Sequence, residues 1–97
     1  MSTTWIISRH PGAIDWLNLK GVNGKLLDHL DIECVAPGDT VIGTLPVNLA
    51  SRVCEKGAAY WHLSLELPRK WRGCELTPDQ MEAFGATLTA YQVQPIV

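Results

Sequence analysis

The chain has 97 residues, 46% apolar and 19% charged, which allows one domain and excludes both a second core and intrinsic disorder. A chain of this size buries only about 60 to 65% of the surface it exposes when unfolded. Its charged fraction also lies below the roughly 25% of an average domain, so part of its surface is expected to be covered in a homodimer.

Eight Lys plus Arg against ten Asp plus Glu give a formal charge of −2, and the basic residues form no run longer than Arg69, Lys70. Tracking along duplex nucleic acid is therefore not expected, because it needs a basic stripe that neutralises many phosphates. A small anion held by a few local groups is compatible with this balance. Residues 1–7 carry no basic leader or apolar core of a signal peptide, and no stretch approaches the roughly 20 apolar residues of a membrane span, so the expectation is a cytoplasmic protein with no membrane partner. Cys34, Cys54 and Cys74 are odd in number and widely spaced, which offers neither a disulfide framework nor a zinc knuckle. They are read as inert thiols, and neither a metal nor a cofactor is expected.

In chain order, Thr4 to Ser8 is a β-branched and aromatic run that predicts a strand. Arg9, His10, Pro11 and Gly12 then open an apolar-periodic segment through Ala13, Ile14, Trp16 and Leu17, a helix with Pro11 in its first turn and Gly21 just past its end. Lys25 to Leu30 fits a short strand or a helical turn equally well. A turn over Ala36, Pro37, Gly38 and Asp39 precedes a second strand, Thr40 to Thr44, and Pro46 starts a helix closed by Gly57. Ala59 to Leu67 alternates strictly, with Trp61, Leu63, Leu65 and Leu67 on an apolar face against His62, Ser64 and Glu66. After a basic loop over Pro68 to Gly73, Thr77 and Gln80 form a capping box with Leu76 and Met81 as its staple. The stripe Met81, Phe84, Leu88, Tyr91 predicts that this last helix continues to Tyr91, with a final extended piece over Val93 to Val97.

Short strands alternating with helices require right-handed crossovers, so the expected fold is a small Rossmann-like α/β domain, a mostly parallel sheet flanked by helices. In such sheets ligands bind beyond the carboxyl ends of the strands, where strand order reverses. Three of those ends carry polar groups: Ser8, Arg9 and His10 after the first strand, Thr44 and Asn48 around the start of the second helix, and Arg69 after Glu66. Two of them lead into helices, whose first amides and positive dipole ends attract phosphates. Arg9 is a bidentate phosphate donor, and His10 is suited to proton transfer. Ser8 and Thr44 serve equally as plain helix caps on this reading. Asp28 and His29 read as surface residues, Trp5, Trp16 and Trp61 as core, and Trp71 as a ring able to stack on a base. No dinucleotide fingerprint or P-loop is present, which disfavours a nicotinamide or ATP enzyme.

The strings WIISRHPGAIDWL, GDTVIGTLPVNLA and YWHLSLELP, followed by RGCELTPDQM, resemble the Csx-sixteen family of small CRISPR-associated proteins found with type III systems. The resemblance runs from about residue 4 to residue 92. It implies a domain like the CARF fold, a cyclic tetra-adenylate partner and a ring nuclease role in antiviral defence, with Ser8, Arg9, His10, Thr44 and Asn48 in the matching segments. The residues fit a metal-independent cleavage in which the ribose 2′-OH attacks the adjacent phosphate. A module that only sequesters the ring, and a structural partner of another CRISPR protein, are the other classes open at this point.

Overall fold

In the computed structural model, which describes residues 2–97, β1 (Thr4–Ile7) leads through α1 (Pro11–Leu19) to β2 (Lys25–Leu27). After it β3 (Thr40–Gly43) leads through α2 (Val47–Glu55) to β4 (Ala59–Ser64), and α3 (Pro78–Ala83) precedes β5 (Thr87–Tyr91). Single turns of 3-10 helix stand at Ile32–Cys34 and Arg69–Trp71. The five strands lie in the order β2-β1-β3-β4-β5, parallel everywhere except between β4 and β5. The mostly parallel α/β sheet expected from the sequence is the one that forms.

Both faces of the sheet are covered, as parallel sheets require. Ile6, Ile42 and Leu63 pack against Ala13, Trp16 and Leu17 of α1 and Met81 of α3. On the opposite face, Val41 and Tyr60 pack against Ala50 and Val53 of α2. Helices α1 and α3 are further joined where Trp16 Nε1 donates to Glu82 Oε1 at 2.8 Å and Lys20 pairs with the same carboxylate. Lys20, and after it the indole, hold the Glu82 carboxyl below its usual range.

The expectations for β4 are corrected. Strand β4 stops at Ser64, so Leu65 and Leu67 leave the sheet, and its buried residues fall on both faces, Tyr60 at 3% and Leu63 at 8% exposure. The period-2 reading assumed one wet face, whereas α2 covers it. Trp61 is not core: it stands opposite Ala90 of the edge strand and stays 36% exposed.

The last helix is also shorter than its stripe suggests. Its capping box forms as expected, with Thr77 Oγ1 accepting from Gln80 N at 3.2 Å and Gln80 Oε1 accepting from Thr77 N at 2.9 Å. The helix then ends at Ala83, because Gly85 takes φ +73° and the Ala86 amide turns back to Met81 O at 3.0 Å. Leu88 and Tyr91, three residues apart, are helical neighbours in spacing but fall on opposite faces of β5. The piece over Val93 to Val97 forms no strand.

At the amino-terminal pole of the sheet, the buried Asp39 carboxylate accepts from Thr3 N at 2.9 Å, Trp5 Nε1 at 3.0 Å and Ala36 N at 3.0 Å. These bonds, the Trp5 indole foremost, hold its carboxyl below the usual carboxylate range. The unfolded chain therefore binds this proton more readily than the folded one, and stability rises with pH. Asp39→Asn is expected to be less stable than wild type at pH 7, with the gap narrowing as pH falls below about 4, the unfolded carboxyl range. Urea midpoints measured from pH 7 to pH 2 check this. A gap that is constant with pH would contradict it.

Candidate functional site

From β1 the chain crosses to β2 on one side, while β3 pairs on the other, so α1 and α2 lie on opposite faces. This is the switch point of the sheet, where the crevice beyond the strand ends is open. A cleft of about 990 Å³ occupies it, and Ser8, Arg9, His10 and Thr44 all line it. The segment around Glu75 and Leu76 closes the side towards α3.

The local bonding explains this shape. Ser8 N donates to Leu27 O at 3.1 Å, continuing the parallel ladder one residue past β1. Ser8 Oγ accepts from His10 N at 3.2 Å, which tightens the turn into α1. The N-cap position of α1 is His10 and that of α2 is Pro46, and no side chain caps either helix. Neither Ser8 nor Thr44 is a cap, since the Thr44 hydroxyl donates to Leu63 O at 3.0 Å and ties the end of β3 to β4. Two nine-residue helices thus begin beside the cleft with first-turn amides that no side chain satisfies. Arg9 and His10 are exposed on the cleft wall, and among the described residues neither is engaged in an ion pair.

Asn48 and Arg69 do not join them. Asn48 is exposed in the first turn of α2, Arg69 is exposed in the 3-10 turn, and both lie outside the cleft wall. Trp71 is half-buried and tilted against Phe84 at 5.6 Å between ring centroids, an intramolecular partner in place of a base.

Sequence reasoning missed two features. Asp28 and His29, read as surface residues, line the cleft, because the register Ile7 opposite Leu27 delivers the segments after β1 and β2 side by side. The signal was absent from the sequence until that pairing was known. The second is Tyr60, whose buried hydroxyl accepts from Leu45 N at 2.9 Å and lies 3.3 Å from Gly43 O and 2.6 Å from His62 Nδ1. Burial pushes the Tyr60 hydroxyl above its ordinary range, so it stays neutral. It fixes the backbone that carries Thr44 along the cleft. A buried tyrosine requires such a partner, which was the available signal.

Among the described residues no group of three or more His, Cys, Asp or Glu side chains is placed to hold a metal ion, and no helix is long and apolar enough to cross a membrane. Hydrogen bonding to Asp31 pushes the exposed Cys34 thiol up, which keeps it in its unreactive protonated form. Residues 5–94 match the model of a protein family described as "Putative CRISPR-associated protein (Cas_VVA1548)". No curated protein and no solved structure matches the chain.

Proposed function

The chain belongs to the Cas_VVA1548 family of CRISPR-associated proteins, and from that premise we propose that it is a cytoplasmic ring nuclease that cleaves cyclic tetra-adenylate, the second messenger of type III CRISPR defence. The observation that carries this reading is the switch-point cleft, which combines two uncapped helix starts with Arg9 and His10 on its wall. Its volume of about 990 Å³ sits at the upper end of the roughly 300 to 1,000 Å³ typical of small-molecule sites, which suits a ligand larger than a mononucleotide.

The ring carries its own nucleophile, the ribose 2′-OH. The protein has to hold that oxygen in line with the adjacent phosphorus and stabilise the charge that builds on the phosphate. Arg9 and the amides opening α1 and α2 hold the phosphate, Ser8 and Thr44 contact the ribose and phosphate from the strand ends, and His10 moves a proton. Asn48 and Arg69 act from outside the cleft wall, as outer contacts to the ring. The product is a linear adenylate ending in a 2′,3′-cyclic phosphate, which no longer activates the effectors that the ring switches on.

Chromatography of cyclic tetra-adenylate after incubation with the purified protein in EDTA tests this reading. Linear 2′,3′-cyclic phosphate products are expected, because substrate and cleft residues supply both nucleophile and charge stabilisation. Intact ring that co-elutes with the protein would instead favour sequestration, and intact free ring would favour a structural role. Activity that vanishes in EDTA and returns with manganese or magnesium would overturn the metal-independent mechanism.

A homodimer belongs to the same proposal, with the site across or beside the two-fold axis. A ring of four equivalent nucleotides presents the same groups to two copies of one cleft. Val47 supports it: an apolar side chain 73% exposed in the first turn of α2, beside the cleft rim formed by Leu45 and Pro46. Light scattering at micromolar concentration is expected to give twice the chain mass. A monomer with and without ring would contradict it.

A further inference from the structure

The chain has three histidines, and the fold treats them unequally. His62 is half-buried, bonded through Nδ1 to the Tyr60 hydroxyl at 2.6 Å and set edge-on to Tyr91 at 6.1 Å. His10 and His29 are exposed, and both line the switch-point cleft. Among the described residues neither imidazole takes part in a hydrogen bond.

Their placement follows from the sheet. Ile7 pairs with Leu27, and Ser8 N bonds Leu27 O at 3.1 Å, so the chain leaves β1 and β2 at the same level on neighbouring strands. Adjacent strands lie about 4.8 Å apart. From there His10 takes the N-cap position of α1, while His29 follows Asp28 in the opposite direction of travel across the sheet, towards β3. The cleft thus has an imidazole on each of two diverging segments, with Arg9 and Asp28 alongside and Glu75 on the same wall.

We propose that His29 is the second proton-transfer group of this cleft, working with His10 as an acid and base pair on one phosphodiester. The inference rests on the ring-cleavage reading above. In the step, one imidazole takes the proton from the 2′-OH as the 2′-oxygen bonds to phosphorus. The bond from phosphorus to the 5′-oxygen breaks, and the other, protonated imidazole delivers its proton to that oxygen. One proton enters the site as one leaves, so no co-reactant is needed. A single imidazole cannot serve both oxygens in one in-line transition state, because entering and leaving oxygens stand on opposite sides of phosphorus. A second exposed imidazole in the same cleft answers that requirement.

The test compares wild type, His10→Gln and His29→Gln, each checked for an unchanged thermal midpoint, on two substrates. One is cyclic tetra-adenylate, and the other is the same ring with sulfur in place of each bridging 5′-oxygen. On the natural ring each variant is expected to cut about 10² to 10⁴-fold more slowly than wild type while binding the ring nearly normally. On the sulfur ring, where the leaving thiolate needs no proton, one of the two variants should recover to near the wild-type rate and the other should stay slow. The variant that recovers identifies the acid. Wild-type cleavage by His29→Gln on the natural ring would overturn the pairing and leave the ring nuclease reading standing, as would recovery of both variants or of neither. A wild-type protein that leaves the natural ring intact would overturn both.

Discussion

Arg9→Ala is expected to weaken ring binding and cleavage together, whereas His10→Ala is expected to bind nearly normally and to cut about 10² to 10⁴-fold more slowly. The difference follows from when each group acts. Arg9 stands exposed on the cleft wall with no carboxylate partner among the described residues, so its guanidinium is free to meet a phosphate that is charged before and during the reaction. Losing it removes binding common to the ground and transition states. The role proposed for His10 is proton transfer, which matters only as bonds change. Arg69→Ala should be milder, because Arg69 lies in the 3-10 turn outside the cleft wall and contributes through screened attraction. Equilibrium binding and single-turnover cleavage on each folded variant separate these cases. Wild-type cleavage by His10→Ala would move the proton transfer elsewhere.

Gly12→Ala is expected to be the most damaging small substitution in the chain. A β-carbon at residue 12 would collide with the Leu76 carbonyl oxygen and stand 2.8 Å from Leu76 C, both backbone atoms. No rotamer relieves that contact. Either the first turn of α1 or the segment before α3 has to withdraw, and Leu76 packs on the core that α1 and α3 share. Overpacking of this kind costs about 3 kcal/mol, which in a domain of this size lowers the thermal midpoint by roughly 12 to 24 °C. Because residue 12 follows His10 by two positions, the displaced turn also disturbs the cleft. Calorimetry of the variant measures the first effect, and a midpoint within 2 °C of wild type would show that the approach is not tight.

The sequence made the sheet legible wherever a strand or helix carried its own punctuation. Pro11 and Gly21 bracket α1, the turn through Asp39 precedes β3, and Gly57 follows α2, each close to where the chain turns. Ser8, Arg9, His10 and Thr44 could be assigned to one end of the sheet because topology alone sends parallel strand ends to the same side. What could not be read depended on contacts between distant segments. The end of α3 was hidden because Met81, Phe84, Leu88 and Tyr91 keep a helical spacing across a change of element at Gly85. Asp28 and His29 became cleft residues only through the register of β2 on β1. Asn48 carries the polarity of a binding residue but sits on the outward side of the first turn of α2, a rotation that composition does not specify.

The pole held by Asp39 behaves differently from the pole that opens as a cleft. Around it the Lys56 ammonium donates to Ile32 O at 2.6 Å, and Gly38 N donates to Gly57 O at 3.0 Å, so strands, turns and the end of α2 are cross-tied. At the other end the first turns of α1 and α2 have no side-chain caps. Amides bound to the buried Asp39 carboxylate are expected to exchange with solvent more slowly than the uncapped amides opening the two helices. On the proposed reading, ordering imposed by a bound anion would fall on a few first-turn residues, and the entropy removed would be local. The sheet would then be a clamp with one fixed end, expected to admit and release a ring without loosening the rest of the fold.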